Sequence, residues 1–138
     1  IGNRWSRDVS EWPNIEKAEH RPWLPDKGGI LYNDNMGLFY QVFYQNPHAP
    51  WRYTLGFEPI WMTADNLEIY RNIQLTRNKN ESYLPWVKKM TEKDRLILVR
   101  NSKPAIEGLE WHEVTPTVWS GKSPKANTVK DILHNEIK

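Results

Sequence analysis

A strand, a polar elbow and a helix are predicted in succession within residues 29–44 (GILYNDNMGLFYQVFY). The apolar triplet 30–32 predicts a short strand. The elbow after it consists of Asn33, Asp34 and Asn35, residue types that favour turns and helix caps. Large apolar residues then recur at helical spacing and predict a helix over residues 36–45. Strand, elbow and helix form the opening half of a βαβ unit, so this stretch predicts an α/β fold.

Hydrophobic patterning places further elements on both sides of this unit. Helices are predicted over residues 11–20, 64–75 and 82–90, and strands over residues 51–55, 95–99, 109–114 and 118–119. The run 95–99 (RLILV) lacks polar alternation, which is typical of a central strand buried on both faces. We predict a small Rossmann-like layered domain over residues 1–121, with about five strands, a partly parallel sheet, a terminal antiparallel hairpin and helices on both faces. Residues 122–138 are predicted to form a polar linker and a C-terminal amphipathic helix.

Composition excludes several classes of site. The chain of 138 residues has no cysteine, which excludes a disulfide framework, a thiolate metal site and a cysteine nucleophile. Its 19 basic and 17 acidic residues are interspersed and leave a net charge of +2, whereas phosphate-driven binding needs clustered basic residues. We therefore expect no nucleic-acid partner. No apolar run approaches the roughly 20 residues that span a bilayer, so we expect no membrane span in this segment.

No motif in the chain specifies catalysis or a cofactor. The glycine patterns of dinucleotide and phosphate loops and of the hydrolase nucleophile elbow are missing from the sequence. The four histidines are far apart, and on the strand that carries Glu110, His112 and Glu113 only the first two share a face. The sequence therefore predicts no metal site, no cofactor and no catalytic residue.

The elbow is the predicted ligand site. Asn33, Asp34 and Asn35 follow the first strand, and Glu58 and Trp61 follow the second. If these strands are parallel, all five residues meet at the carboxyl edge of the sheet, where open α/β sheets bind ligands. Each acidic residue also has a structural interpretation, which for Asp34 is the N-cap of the following helix.

Two alternatives remain open at this stage. Asp34 could converge with Glu58 or Asp65 as the carboxylate pair of a small stand-alone hydrolase, since glycosidases use two carboxylates about 5 to 10 Å apart. The chain also has eight tryptophans, which either fill the core or form a platform for sugar rings. The exposure of four of them distinguishes these possibilities: Trp5, Trp23, Trp51 and Trp61.

The segment LPDKGGILYND at residues 24–34, preceded by a predicted helix and followed by an aromatic one, is similar to a region of certain bacterial glycosyltransferases. It resembles the extracytoplasmic C-terminal domain of multi-pass, dolichyl-phosphate-mannose–mannosyltransferase-like enzymes. The run DRLILV at residues 94–99, followed by a tryptophan-containing hairpin, resembles the way such domains end, so the resemblance covers residues 12–121. In that family the catalytic acids lie in membrane-proximal loops outside this region, so the resemblance implies no catalytic residue here.

These observations predict a non-catalytic accessory or binding domain of a larger bacterial cell-envelope protein. A glycan or a partner protein is the expected ligand. The chain begins at Ile1 without a methionine or a signal-peptide pattern, which suggests a mature fragment or an excised domain. The parent protein is expected to be membrane-anchored, and an extracytoplasmic location is favoured over the cytoplasm.

Overall fold

Five strands form one mixed sheet in the computed structural model, which describes residues 11–54 and 63–124. β1 pairs in parallel with β2 and with β3, whereas β5 pairs antiparallel with β3 and with β4. The spatial order is β2-β1-β3-β5-β4. The predicted α/β fold, with a partly parallel sheet and a terminal antiparallel hairpin, is confirmed. The strands are β1 (Ile30–Tyr32), β2 (Arg52–Tyr53), β3 (Arg95–Val99), β4 (Glu110–Thr115) and β5 (Val118–Lys122).

Three α-helices accompany the sheet: α1 (Met36–Gln45), α2 (Ala64–Leu75) and α3 (Leu84–Lys89). The bounds of α1 and α2 are those predicted. The predicted helix over residues 82–90 is divided into a 3-10 helix, Asn80–Tyr83, and α3, with Pro85 in the first turn of α3, where no N–H is needed. Within the two described ranges, no helix is both long enough and apolar enough to cross a membrane.

Helices cover both faces of the sheet, as predicted. On one face, Leu38 and Val42 of α1 pack against the sheet in a cluster that also contains Leu31, Ile97 and Val118. On the other face, α2, α3 and the segments beside them pack against alternate residues of the same strands. This second cluster comprises Tyr32, Ile73, Tyr83, Trp86, Val87, Met90, Leu96, Leu98 and Ile106. All five residues of β3 are buried, which confirms its prediction as a central strand.

The helix predicted over residues 11–20 is wrong. Residues 11–20 form turns, and a 3-10 helix follows at Arg21–Trp23. Side chains take the backbone N–H groups that a helix would use: His20 Nδ1 accepts from Asn14 N, and Asn46 Oδ1 accepts from Ile15 N at 2.7 Å. Such side-chain acceptors compete with helical hydrogen bonds. The segment is thereby tied to the end of α1, where Asn46 is buried.

The ends of other elements also differ from prediction. The N-cap of α1 is Asn35, whose side chain accepts from Leu38 N at 2.9 Å, so the N-cap interpretation of Asp34 is wrong. β5 continues to Lys122, one residue past the predicted domain boundary. The predicted C-terminal helix lies outside the described residues.

Candidate functional site

Asp34 and Arg100 lie at the same edge of the sheet. Asp34 is the second residue after β1, and Arg100 directly follows β3, the parallel neighbour of β1. The chain connects β1 to β2 on one side, whereas β3 connects to β4 and β5 on the other. Such a reversal of connections between adjacent parallel strands creates a crevice at their carboxyl ends. Asp34 and Arg100 therefore occupy the topological switch point of this sheet.

A polar network surrounds the Asp34 carboxylate. Its Oδ2 atom accepts hydrogen bonds from the Tyr83 hydroxyl and from the Asn78 side-chain amide. The Tyr83 hydroxyl in turn accepts from Asn78 Nδ2 at 3.0 Å and from Arg100 Nη2 at 2.9 Å. Arg100 Nη2 also lies 3.7 Å from Asp34 Oδ2, and its guanidinium carbon lies 5.9 Å from the centre of the Tyr83 ring. One carboxylate oxygen is thus held by a tyrosine, an amide and a cation.

The end of α2, rather than its beginning, reaches this edge. Gln74, in the last turn of α2, donates from Nε2 to the Asp34 carbonyl at 3.1 Å. Two residues beyond the helix adopt left-handed backbone conformations, Arg77 with φ 55° and Asn78 with φ 63°. Asparagine tolerates this region better than most residues. This reversal directs the Asn78 side chain at Asp34.

Burial and charge set the protonation state of the tyrosines near Asp34. The Asp34 side chain is only 1 % exposed. Burial raises the pKa of Tyr83, and the negative charge of Asp34 raises it further. The same two causes, burial first, raise the pKa of Tyr70. The Tyr83 hydroxyl therefore keeps its proton and acts as a hydrogen-bond donor to the carboxylate.

Two buried polar atoms at the elbow have no hydrogen-bond partner among the described residues. They are Oδ1 of Asp34 and Nδ2 of Asn33. The other amide atom of Asn33, Oδ1, accepts from Asn35 N at 3.2 Å, which fixes the orientation of that side chain. Buried polar atoms normally have partners, and leaving one unpaired costs about 1–3 kcal/mol. The elbow thus combines an unused acceptor and an unused donor.

The structure brings together part of the predicted site. Asn33, Asp34 and Asn35 form the elbow as expected, with Asn35 used as a helix cap. Glu58 and Trp61 lie outside the described residues. Sequence reasoning missed Asn78, Tyr83 and Arg100. Only Arg100 had a signal in the sequence, its place directly after the apolar run of β3, whereas the other two approach Asp34 through the path of the chain after α2.

The carboxylates Asp34 and Asp65 are not brought together. Asp65 is in the first turn of α2, and Gln74, which contacts Asp34, is nine residues later in the same helix. At 1.5 Å per residue the two positions are roughly 14 Å apart along the helix axis. Glycosidic carboxylate pairs require about 5 to 10 Å. Asp65 is therefore too far from Asp34 to form such a pair with it.

Asp65 instead pairs with Lys89 at the end of α3. Lys89 Nζ lies 2.5 Å from Asp65 Oδ2, and the Thr63 hydroxyl donates to Asp65 Oδ1 at 2.8 Å. These contacts lower the pKa of Asp65 from 3.8 to about 2, and the hydrogen bond from Lys89 has the largest effect. Because the folded state binds this proton more weakly, the stabilisation is complete above the ordinary pKa and is lost as the pH falls towards 2.

We expect Asp65→Asn to remove part of the acid sensitivity of the fold. The urea midpoint of the unchanged chain should fall as the pH drops from about 4 to about 2. The urea midpoint of the variant should fall less over the same pH range. Lys89→Met, which keeps the aliphatic stem, should behave in the same way as the Asp65 variant. Equal pH dependence in all three proteins would show that the ion pair does not contribute in solution.

No metal cluster is present in the described part of the chain, and the tryptophan platform stays a prediction. No group of three potential ligands among His, Asp and Glu lies close enough to hold a metal within residues 11–54 and 63–124. His112 stacks on Trp23 with ring centres 4.7 Å apart, and Lys122 Nζ lies 4.5 Å from the same indole. Trp51 is buried, and Trp5 and Trp61 lie outside the described residues.

Comparison with family models, with curated proteins and with solved structures finds no match to this chain.

Proposed function

We propose that this chain is a non-catalytic binding domain and that it binds a glycan at the carboxyl edge of β1 and β3. The observation that supports this proposal is the buried Oδ1 atom of Asp34, which has no partner among the described residues and lies at the topological switch point. An ionised carboxylate only accepts hydrogen bonds. Its ligand must therefore donate one, and the hydroxyl groups of a sugar do so.

Arg100 and Tyr70 supply complementary contacts. The Arg100 side chain is 26 % exposed, and its guanidinium can donate to the ring and hydroxyl oxygens of a sugar. Tyr70, which is half-buried, offers aromatic surface near Asp34, whereas the Tyr83 ring is fully buried and only its hydroxyl contributes. An aromatic side chain beside a few placed polar groups is a common arrangement for binding small polar ligands. Arg100 is more exposed than Asp34, so we expect the ligand to reach Oδ1 by displacing the guanidinium.

The wider setting follows from the resemblance at residues 24–34 and 94–99. We propose that the domain belongs to a larger, membrane-anchored protein of the bacterial cell envelope, that it is associated with glycosyl transfer, and that it lies on the extracytoplasmic side. A glycan ligand suits that setting. A partner protein bound at the same edge is the alternative ligand.

Asp34→Asn tests this proposal with little change to the fold. The amide oxygen can take the place of Oδ2 and accept from Tyr83 and Asn78, and the amide nitrogen then replaces the unpaired Oδ1. The variant therefore presents a donor where the ligand needs an acceptor. We expect oligosaccharide affinity, measured by calorimetry on bacterial envelope glycans chosen from an array, to fall about tenfold or more.

Asp65→Asn is the matched control, because it removes one exposed carboxylate at the opposite end of α2. It should bind as the unchanged chain does. Equal affinity of the Asp34 variant, or no glycan bound by any of the three proteins, would overturn the proposal. The hydrolase alternative, in which Asp34 acts with Glu58, predicts glycan cleavage by the unchanged chain and its loss in Asp34→Asn by orders of magnitude.

A further inference from the structure

The outward face of α2 carries an apolar stripe. Leu75, at its end, is 83 % exposed, and Leu67 and Ala64 continue the stripe towards its beginning. The same residues line a groove of about 820 Å³ together with Glu68, Arg71 and Pro85. Only Ile73 of this helix is fully buried. Leu67 is half-buried, so the surface is the groove as a whole, and an apolar groove rimmed by charged residues favours a binding surface.

Helical geometry places the stripe opposite the core. At 100° per residue, Ala64 and Leu75 lie within about 20° of each other around the helix axis, and Ile73 lies about 180° from Ala64. Glu68 and Arg71 flank the centre of the stripe on the same side. The face is therefore directed away from the sheet, where another molecule can reach it.

The charges on this face are self-complementary. Glu68 and Arg71 are both exposed, and neither forms an ion pair with a residue of the described ranges. They lie symmetrically about the midpoint of α2, which spans Ala64–Leu75. When two such helices run antiparallel about that midpoint, each glutamate meets the arginine of the other copy. The small Ala64 then lies opposite the large, exposed Leu75.

We infer that α2 is a homodimer interface, at which it packs antiparallel against α2 of a second copy of this chain around a twofold axis. In such an isologous contact the same patch serves both subunits, so a patch must complement itself. The paired Glu68 and Arg71 and the alternation of Ala64 and Leu75 meet that requirement. Antiparallel alignment also opposes the helix dipoles favourably.

The dimer should be weak. A helix of 12 residues is about 18 Å long, so the contact is at the small end of specific interfaces. We expect a monomer–dimer equilibrium in the micromolar to millimolar range by analytical ultracentrifugation of the full chain. Gln74, which contacts Asp34, precedes Leu75 in sequence but lies about 100° from it around the helix axis. The site at Asp34 is therefore not on this face, and the inference does not rest on glycan binding.

Charge reversal gives a decisive test. Glu68→Arg and Arg71→Glu each create two like-charge pairs, one at each symmetry-related contact of the dimer. Each variant should therefore raise the dimer dissociation constant about tenfold or more. The double variant restores both pairs with their signs exchanged and should dimerise about as well as the unchanged chain. An equimolar mixture of the two single variants should form heterodimers at concentrations at which each variant alone is mostly monomeric.

Circular dichroism of each variant should show that the fold is retained, because all substitutions are on an exposed face. Leu75→Ser should also weaken the dimer without changing the charges. A chain that is monomeric up to millimolar concentration would overturn the inference. So would a dimer whose dissociation constant is unaffected by either single reversal, because that dimer would use another surface.

Discussion

Gly29→Ala is expected to lower the free energy of unfolding by about 3 kcal/mol or more, because this position has no room for a side chain. A Cβ atom on Gly29 would lie 2.1 Å from the Lys93 carbonyl oxygen and 2.7 Å from its carbon. Both are backbone atoms and cannot move aside as a side chain can. The same carbonyl accepts from Asp26 N at 2.9 Å, so any shift disturbs the turn that leads into β1.

The neighbouring Gly28→Ala is the control for this prediction. Gly28 has φ +81°, but a Cβ there would meet nothing within 4 Å, so its cost is limited to backbone strain of about 1 kcal/mol. Urea denaturation of the two variants separates steric exclusion from conformational strain. If both variants lose the same stability, the close approach of Gly29 to Lys93 is not present in solution.

Asp34→Ala is expected to cost about 3 kcal/mol of unfolding free energy, since it removes a buried acceptor from two donors and the anion from an ion pair. Tyr83 and Asn78 would lose their shared partner, and Arg100 would lose the nearby negative charge. Asp34→Asn keeps an acceptor oxygen and should cost much less. Tyr83→Phe should cost about 1–2 kcal/mol, because only one hydroxyl is removed.

Thermal and urea unfolding of these variants measure the network directly. Equal stability of Asp34→Ala and the unchanged chain would show that the network does not hold the edge of the sheet. A large loss in Asp34→Asn, comparable to that in Asp34→Ala, would show instead that the charge of Asp34, rather than its hydrogen bonds, stabilises the fold.

The strands of the sheet could be predicted from the sequence because they carry strong local signals. The four apolar residues of β3 and the triplet of β1 are short apolar runs, and both are strands. The bounds of α1 and α2 were predicted, and so was the cap position Thr63 before α2, whereas the N-cap of α1 is Asn35 and not Asp34. Local patterns determine elements of this kind without help from the rest of the chain.

Long-range hydrogen bonds account for what could not be predicted. The segment at residues 11–20 resembles a helix by its spacing, but His20 and Asn46 take its N–H groups, and Asn46 is 31 residues from Ile15. Tyr83 reaches Asp34 over 49 residues and Asn78 over 44. No periodicity in the sequence encodes such contacts, so the partners of Asp34 became evident only in three dimensions.

The central proposal is that Oδ1 of Asp34 accepts a hydrogen bond from a sugar hydroxyl. A crystal structure of the chain with the tightest-binding envelope oligosaccharide tests it most directly. We expect a sugar hydroxyl about 2.7–2.8 Å from Oδ1 of Asp34, with Arg100 displaced and Tyr83 still donating to Oδ2. An oligosaccharide bound elsewhere, with Oδ1 still making no contact to it, would contradict the account.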